Sequence, residues 1–215
     1  MKIGVFDSGV GGKSVAQAIE HALPEHEIIL REDHEHVPYG TRTPDEILGF
    51  VVPIFQALVD DGCEVIVVAC NTVSTNLIEQ LREKFSLPLI AAEPMIKPAA
   101  EQTESGIIAV CATPLTLQSA RYQWLKTTYA NKCTVLEPDC SDWALMIENN
   151  KVDIDKIAER IDEVLDQGAD VIVLGCTHYH WIDEVLQDAA RGRAVIIQPE
   201  MALIRQLKRV LAQLD

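Results

Sequence analysis

The sequence predicts an α/β protein made of two similar parallel-sheet α/β domains related by a pseudo-two-fold axis, with an active site in the cleft between them. Three observations carry that prediction. Short β-branched apolar runs alternate with stretches of helical period, the rhythm of a parallel sheet covered on both faces. The segments VIVVACNT (65–72) and VIVLGCTH (171–178) each place a cysteine and polar residues after such a run. IGVFDSG (3–9) and IAVCATP (108–114) each open a half with a strand running into small hydroxyl-bearing residues.

Taken in order, IGVF reads as a strand, and DSGVGG turns it into a helix from Gly12 to about Ala22, the glycines permitting a tight bend. IIL at 28–30 is the next strand, Pro44–Asp61 a helix, and VIVVA a buried strand ending at Cys70. A helix over Ser74–Phe85 and the short strand PLIAA complete the first half. The rhythm then restarts: GIIAV is a strand, Thr116–Tyr129 a helix, TVLE a strand, Asp153–Gln167 a helix, and VIVLG a strand ending at Cys176. The boundary falls near Glu93–Pro94, giving a first half over 1–93 and a second over 94–197. The last segment, 198–215, with its helix over Pro199–Leu214, is expected to pack back on the first half.

Composition narrows the function. The 215 residues are 48% hydrophobic, enough for a sizeable core, and 33 acidic against 18 basic residues give a net charge of -15. That surface repels phosphate backbones and anionic lipid, so neither nucleic acid nor membrane is an expected partner. MKIGVFDSG lacks the apolar core of a signal peptide and no run is long enough to span a bilayer, so a cytoplasmic protein is expected. The six cysteines, at 63, 70, 111, 133, 140 and 176, form no CxxC pair and no zinc-like cluster with histidine. No metal is expected, and the thiols should be free.

A cysteine between a strand end and a helix start feels the helix dipole and nearby backbone N–H groups, which lower its pKa. Such a cysteine can equally be a small apolar filler. Two in matching contexts suggest a facing pair, and a facing pair of thiols suits one reaction. Inverting an amino-acid centre without a cofactor requires one group to remove the α-proton and another to deliver a proton to the opposite face. A competing reading comes from DSGVGGKS, which differs from a phosphate-binding loop only in having Asp7 at its first position. That carboxylate would repel phosphates, and neither VIVVAC nor VIVLGC ends in the aspartate that would help hold magnesium.

DSGVGG (7–12), VPYG (37–40), ACNT (69–72), EP (93–94), ATPLTLQS (112–119) and GCTHY (175–179), in this order over nearly the whole chain, resemble the glutamate racemase family within the aspartate/glutamate racemase superfamily. The resemblance implies that Cys70 and Cys176 are the two acid/base residues. It puts Asp7 beside the first, His178 beside the second, and Glu148, in CSDWALMIE, near the second as well. For substrate binding it implies Ser8, Pro38, Tyr39, Gly40, Asn71, Thr72, Thr116 and Thr177. Residue by residue the bland readings are caps and turns for Asp7, Ser8, Asn71, Thr72 and Thr177, turn packing for Tyr39, a structural histidine for His178 and an exposed helix-end glutamate for Glu148.

The chain departs from the family pattern at several positions. His34 and His36 stand where relatives usually carry threonine and arginine, Lys13 replaces an apolar residue, and His180 follows Tyr179 where proline is common. Gln198 and Pro199 replace an Asp-Ser pair, and the chain stops earlier than most members. The implied function is interconversion of L- and D-glutamate, with no cofactor, supplying D-glutamate for peptidoglycan; relatives are often homodimers. The alternatives are racemisation of aspartate or another amino acid, a sister reaction such as decarboxylation or cis–trans isomerisation, and a non-catalytic binding module.

Overall fold

The computed structural model of the chain describes residues 1–214. Asp215, the last residue of the segment expected to pack back on the first half, lies outside them. The first half runs β1 (Lys2–Asp7), α1 (Gly12–Ala22), β2 (Glu27–Glu32), α2 (Pro44–Asp60), β3 (Val65–Val68), α3 (Asn71–Lys84) and β4 (Leu89–Ala91). The second runs α4 (Ile96–Gln102), β5 (Ile107–Ala112), α5 (Pro114–Gln118), α6 (Ala120–Tyr129), β6 (Thr134–Leu136), α7 (Trp143–Glu148), α8 (Ile154–Asp166), β7 (Val171–Gly175), α9 (Asp183–Ala190) and β8 (Val195–Ile197). A final helix, α10 (Glu200–Leu214), follows.

The strands form two four-stranded parallel sheets, ordered β2-β1-β3-β4 and β6-β5-β7-β8. In both, the opening strand lies beside the strand that leads to a cysteine. That adjacency is where strand order reverses, and a reversal opens a crevice beyond the carboxyl ends of the strands. The repeated α/β architecture expected from the sequence is therefore present.

Each sheet is buried on both faces because its strands are almost continuously apolar: Val65 to Val68 and Val171 to Gly175 are wholly buried. On one face of the first sheet α2 and α3 bring Ile47, Val51, Phe55 and Leu77 against Phe6, Ile66 and Val68. On the other, α1 and α10 bring Val15, Ile19, Leu203 and Leu207 against Ile3, Val5 and Val67. The last helix thus returns to the first half after the chain has built the second. α2 begins where Thr43 and Glu46 close a reciprocal capping box with Pro44 at the first turn.

Several local expectations differ from what forms. α3 begins at Asn71, directly after Cys70, rather than at Ser74. The stretch expected as one helix over Thr116–Tyr129 is two, because Ser119 turns extended and its hydroxyl accepts from Tyr122 N–H to cap α6. Cys176 is followed not by an α-helix but by a 3₁₀ segment, Thr177–Ile182, ahead of α9. α4 and α7 are short helices without the long apolar period that marks their neighbours. Among the described residues no helix is long and apolar enough to cross a membrane.

Candidate active site

The carboxyl ends of the two sheets face each other across a small cavity. Ser8, Pro38, Tyr39, Gly40, Cys70, Asn71, Thr72, Cys176, Thr177 and His178, all singled out from the sequence, line it, together with Val37, Thr113 and Ala144. It leaves only about 10 Å³ for an occupant, room for a single water. The two cysteines come from opposite halves and are 5% and 7% exposed.

Cys70 sits at the start of α3, and its thiol donates to Ser8 Oγ at 3.4 Å. The expectation that a helix start lowers this thiol's pKa does not hold. Burial first, and then the charge of Asp7, push it up to about 12; the Ser8 hydroxyl and Val73 N–H pull the other way without prevailing. Asp7 itself is fully buried, and desolvation raises its pKa above the usual carboxylate value. Its Oδ2 accepts from Gly9 N–H at 3.1 Å and its Oδ1 from the Thr177 hydroxyl at 2.9 Å, a bond that joins the two halves.

Cys176 has different company. Its sulfur lies 3.7 Å from His178 Nδ1, and His178 Nε2 lies 2.7 Å from Glu148 Oε1. Burial works to lower the His178 pKa, but the hydrogen bonds to Cys176 and Glu148 outweigh it and raise it well above the ordinary value. Burial likewise acts to raise Glu148, and the bonds from His178 and Val10 N–H outweigh it and hold that carboxyl below its usual range. Both shifts favour the charged forms, an imidazolium facing a carboxylate, next to the Cys176 sulfur. Glu148 is not an exposed helix-end residue: its side chain is 10% exposed and it ties α7 of the second half to Val10 of the first.

Asp7, Glu148 and Thr116 stand behind the wall rather than in it. Thr116 is wholly buried and bonds Thr113 Oγ1 at 2.9 Å and Thr72 Oγ1 at 3.3 Å. Thr113, which sequence reasoning missed, faces the cavity instead and meets Thr72 at 3.0 Å across the halves. Its signal was the pattern of a strand end followed by Thr-Pro, a helix cap that also points forward. The Tyr39 hydroxyl turns away to donate to Asp33 Oδ2 at 2.6 Å, so the ring rather than the hydroxyl bounds the site. His36 holds that same Asp33 at 2.8 Å and stacks on Phe50. The Val37–Pro38 peptide is cis.

Asn71 is 2% exposed, yet neither its amide nitrogen nor its oxygen has a hydrogen-bond partner. A buried amide without partners is costly, and this one lines the cavity, where its nitrogen and oxygen are free to bind an occupant. The loop over 8–12 is closely clasped by the second half. A β-carbon on Gly9 would fall 1.9 Å from Glu148 Oε1, and one on Gly11 2.4 Å from Thr177 Oγ1. Its Gly9 and Val10 N–H groups bind the carboxylates of Asp7 and Glu148, so in this arrangement they do not form the cradle that a phosphate-binding loop would need. Among the described residues no group of three or more His, Cys, Asp or Glu side chains is arranged to hold a metal ion.

The chain is similar to known glutamate racemases over nearly its whole length. A glutamate racemase of Herpetosiphon aurantiacus is 37% identical over 99% of this chain and 85% of its own length. A glutamate racemase from Escherichia coli, solved with L-glutamate and the activator UDP-MurNAc-ala, superposes with a TM-score of 0.90 at 32% identity, over 98% of this chain and 82% of that one. One from Francisella tularensis, solved with D-glutamate, superposes with a TM-score of 0.80 at 27% identity over 99% of this chain and 81% of that one. The family model described as Asp/Glu/Hydantoin racemase matches residues 11–207, and with that span the chain belongs to the Asp/Glu/Hydantoin racemase family.

Proposed function

We propose that the protein interconverts L- and D-glutamate by two-base proton transfer at the α-carbon, with Cys70 and Cys176 as the two acid/base groups. The observation that carries the proposal is that two buried sulfurs from opposite halves line one small cavity. A substrate held between them offers one face of its α-carbon to each. One sulfur takes the α-proton as the other gives a proton to the opposite face; the substrate's electron pair passes through a planar carbanion between them. Asp7 acts on the Cys70 side and the His178–Glu148 pair on the Cys176 side, with His178 Nδ1 3.7 Å from the sulfur.

Substrate recognition rests on Asn71 and on the hydroxyls of Ser8, Thr72, Thr113 and Thr177, which give an acidic protein neutral donors for an anionic amino acid. Thr116 supports Thr72 and Thr113 from behind. Small-molecule sites run to roughly 300 Å³ or more, far beyond the space present, so the halves must part to admit substrate. The chain crosses between them twice, at Glu93–Pro94 and at Gln198–Pro199, and these are the natural hinges, with 1–93 and the last helix moving against 94–197. In this reading the D-glutamate made serves peptidoglycan assembly in the cytoplasm, as the family resemblance implies.

The test is incubation with each L-amino acid in deuterated water, following α-proton loss and optical rotation. Loss of the glutamate α-proton together with decay of rotation toward zero is expected. Preference for aspartate would move the substrate assignment, and no exchange with any amino acid would overturn the reaction.

A further inference from the structure

Val37, Pro38, Tyr39 and Gly40 give the cavity a wall that belongs to neither a sheet nor a long helix. They lie in the connection between β2 and α2, where a single 3₁₀ turn, Tyr39–Thr41, forms. This lip also meets the opposite half: a β-carbon on Gly40 would fall 2.7 Å from that of Thr113. A substrate wall made of loop must be fixed by side chains, or part of the binding free energy is lost in ordering it.

One carboxylate gathers the contacts that fix it. Asp33, 8% exposed, donates its backbone N–H to the Asp7 carbonyl at 3.3 Å, which ties it to the strand end beside Cys70. Its Oδ2 accepts from the Tyr39 hydroxyl at 2.6 Å. His36 Nδ1 lies 2.8 Å from Oδ1 and 2.9 Å from Oδ2, and because a carboxylate only accepts, that nitrogen carries the hydrogen. His36 is held in turn from two other sides. Its ring stacks on Phe50 of α2, with centroids 3.8 Å and planes 12° apart, and its carbonyl accepts from Arg42 Nε at 2.5 Å. Contact thus runs from a packed helix through His36 and Asp33 to Tyr39, whose ring bounds the cavity. Neither His36 nor Asp33 lines the cavity itself.

Resting on the amino-acid racemase reading above, we infer that His36 is a positioning residue: by fixing the Asp33 carboxylate for Tyr39, it holds the 37–40 lip in its substrate-binding form. The lip bounds the substrate but takes no part in moving its proton. Loosening it therefore weakens ground state and transition state alike, which raises KM and leaves kcat in place. Relatives usually carry arginine at this position, and a guanidinium reproduces both features of the imidazole here. It bonds a carboxylate through two N–H groups and lays a flat face on an aromatic ring, whereas an ammonium group does neither.

In His36→Ala, KM for glutamate is expected to rise about tenfold, the lower end for losing a charge-assisted hydrogen bond because the site is partly open to water. The change in kcat should stay below about twofold, and calorimetric binding of glutamate should weaken with KM. His36→Arg should restore KM to within about twofold, and His36→Lys should not. Tyr39→Phe removes the hydroxyl at the far end of the same chain of contacts. Combined with His36→Ala, it should raise KM no more than about twofold beyond the larger single effect, since both act through Asp33. Unchanged KM in His36→Ala overturns the inference. So does a fall in kcat as large as the rise in KM, or effects that multiply in the double variant. Each of these leaves the racemase reading intact; absence of racemisation in the unaltered protein removes that reading and the inference with it.

Discussion

Gly9→Ala separates closure of the cleft from stability of the fold. The added carbon would lie 1.9 Å from Glu148 Oε1 and 2.8 Å from His178 Nε2. The carboxylate is not free to step aside, because Val10 N–H at 2.8 Å and His178 at 2.7 Å hold that same oxygen. Overpacking of this kind costs about 1–3 kcal/mol. Gly9 belongs to the first half and Glu148 to the second, so the penalty falls on the state in which the halves are together. A bias of about 1–3 kcal/mol lowers the closed fraction relative to the open one about 5–150-fold. We expect kcat/KM for α-proton exchange to fall by a comparable factor. Alkylation of Cys70 and Cys176, 5% and 7% exposed when closed, should accelerate. The thermal midpoint should drop only about 2–4 °C for each kcal/mol. Full activity with unchanged alkylation would refute the argument that catalysis requires this closure, and a collapse of the midpoint by tens of degrees would show that the clash destabilises the fold itself.

Other outcomes follow from the same geometry. Cys70→Ser and Cys176→Ser should each lower racemisation by about 10²–10⁴-fold with the fold retained, and the two variants should differ in which enantiomer still exchanges its α-proton in deuterated water. Asn71→Ala removes a buried amide with no partner, so the free protein should melt at the same or a higher temperature while substrate binding weakens by about 1–3 kcal/mol, read as a rise in KM. Glu148→Gln loses a charge-assisted bond to His178; kcat/KM should fall about 10–150-fold, and NMR titration should show His178 losing its proton at lower pH. Because folding favours the neutral Cys70 thiol, its stabilising contribution is whole below pH 9.0 and lost as pH climbs toward about 12. Calorimetry across that window should find a smaller decline in Cys70→Ala than in the unaltered protein.

The fold was legible because both halves advertise it with the same signals. VIVVAC and VIVLGC are continuous apolar strands of the sort only a doubly covered parallel sheet uses, and each is followed by polar residues at a turn. What periodicity did not carry was decided by single side chains: Ser119 splits a helix by capping α6, and Thr177–Ile182 winds as 3₁₀ where an α-helix was expected. At the site, the lining residues were singled out through the family resemblance, whereas Thr113, inside the same ATPLTLQS segment, was passed over for Thr116 and reaches the cavity because the second sheet brings β5 beside β7. The direction of the Cys70 shift also lay beyond sequence. A helix start argues for a lowered pKa, but the degree of burial and the charge of Asp7 are tertiary facts, and they win.

The two sheets repeat one strand order, yet the sulfurs they present are dressed differently, one beside Asp7 and Ser8, the other beside His178 and Glu148. Mirror-image amino acids have equal free energies in water, so their equilibrium constant is one, and any catalyst must show equal kcat/KM for both hands. Unequal flanks cannot break that equality. They can only bind one hand more tightly and turn it over more slowly in the same proportion, so the difference in electrostatic dressing is expected to appear as a matched offset in kcat and KM between the two directions.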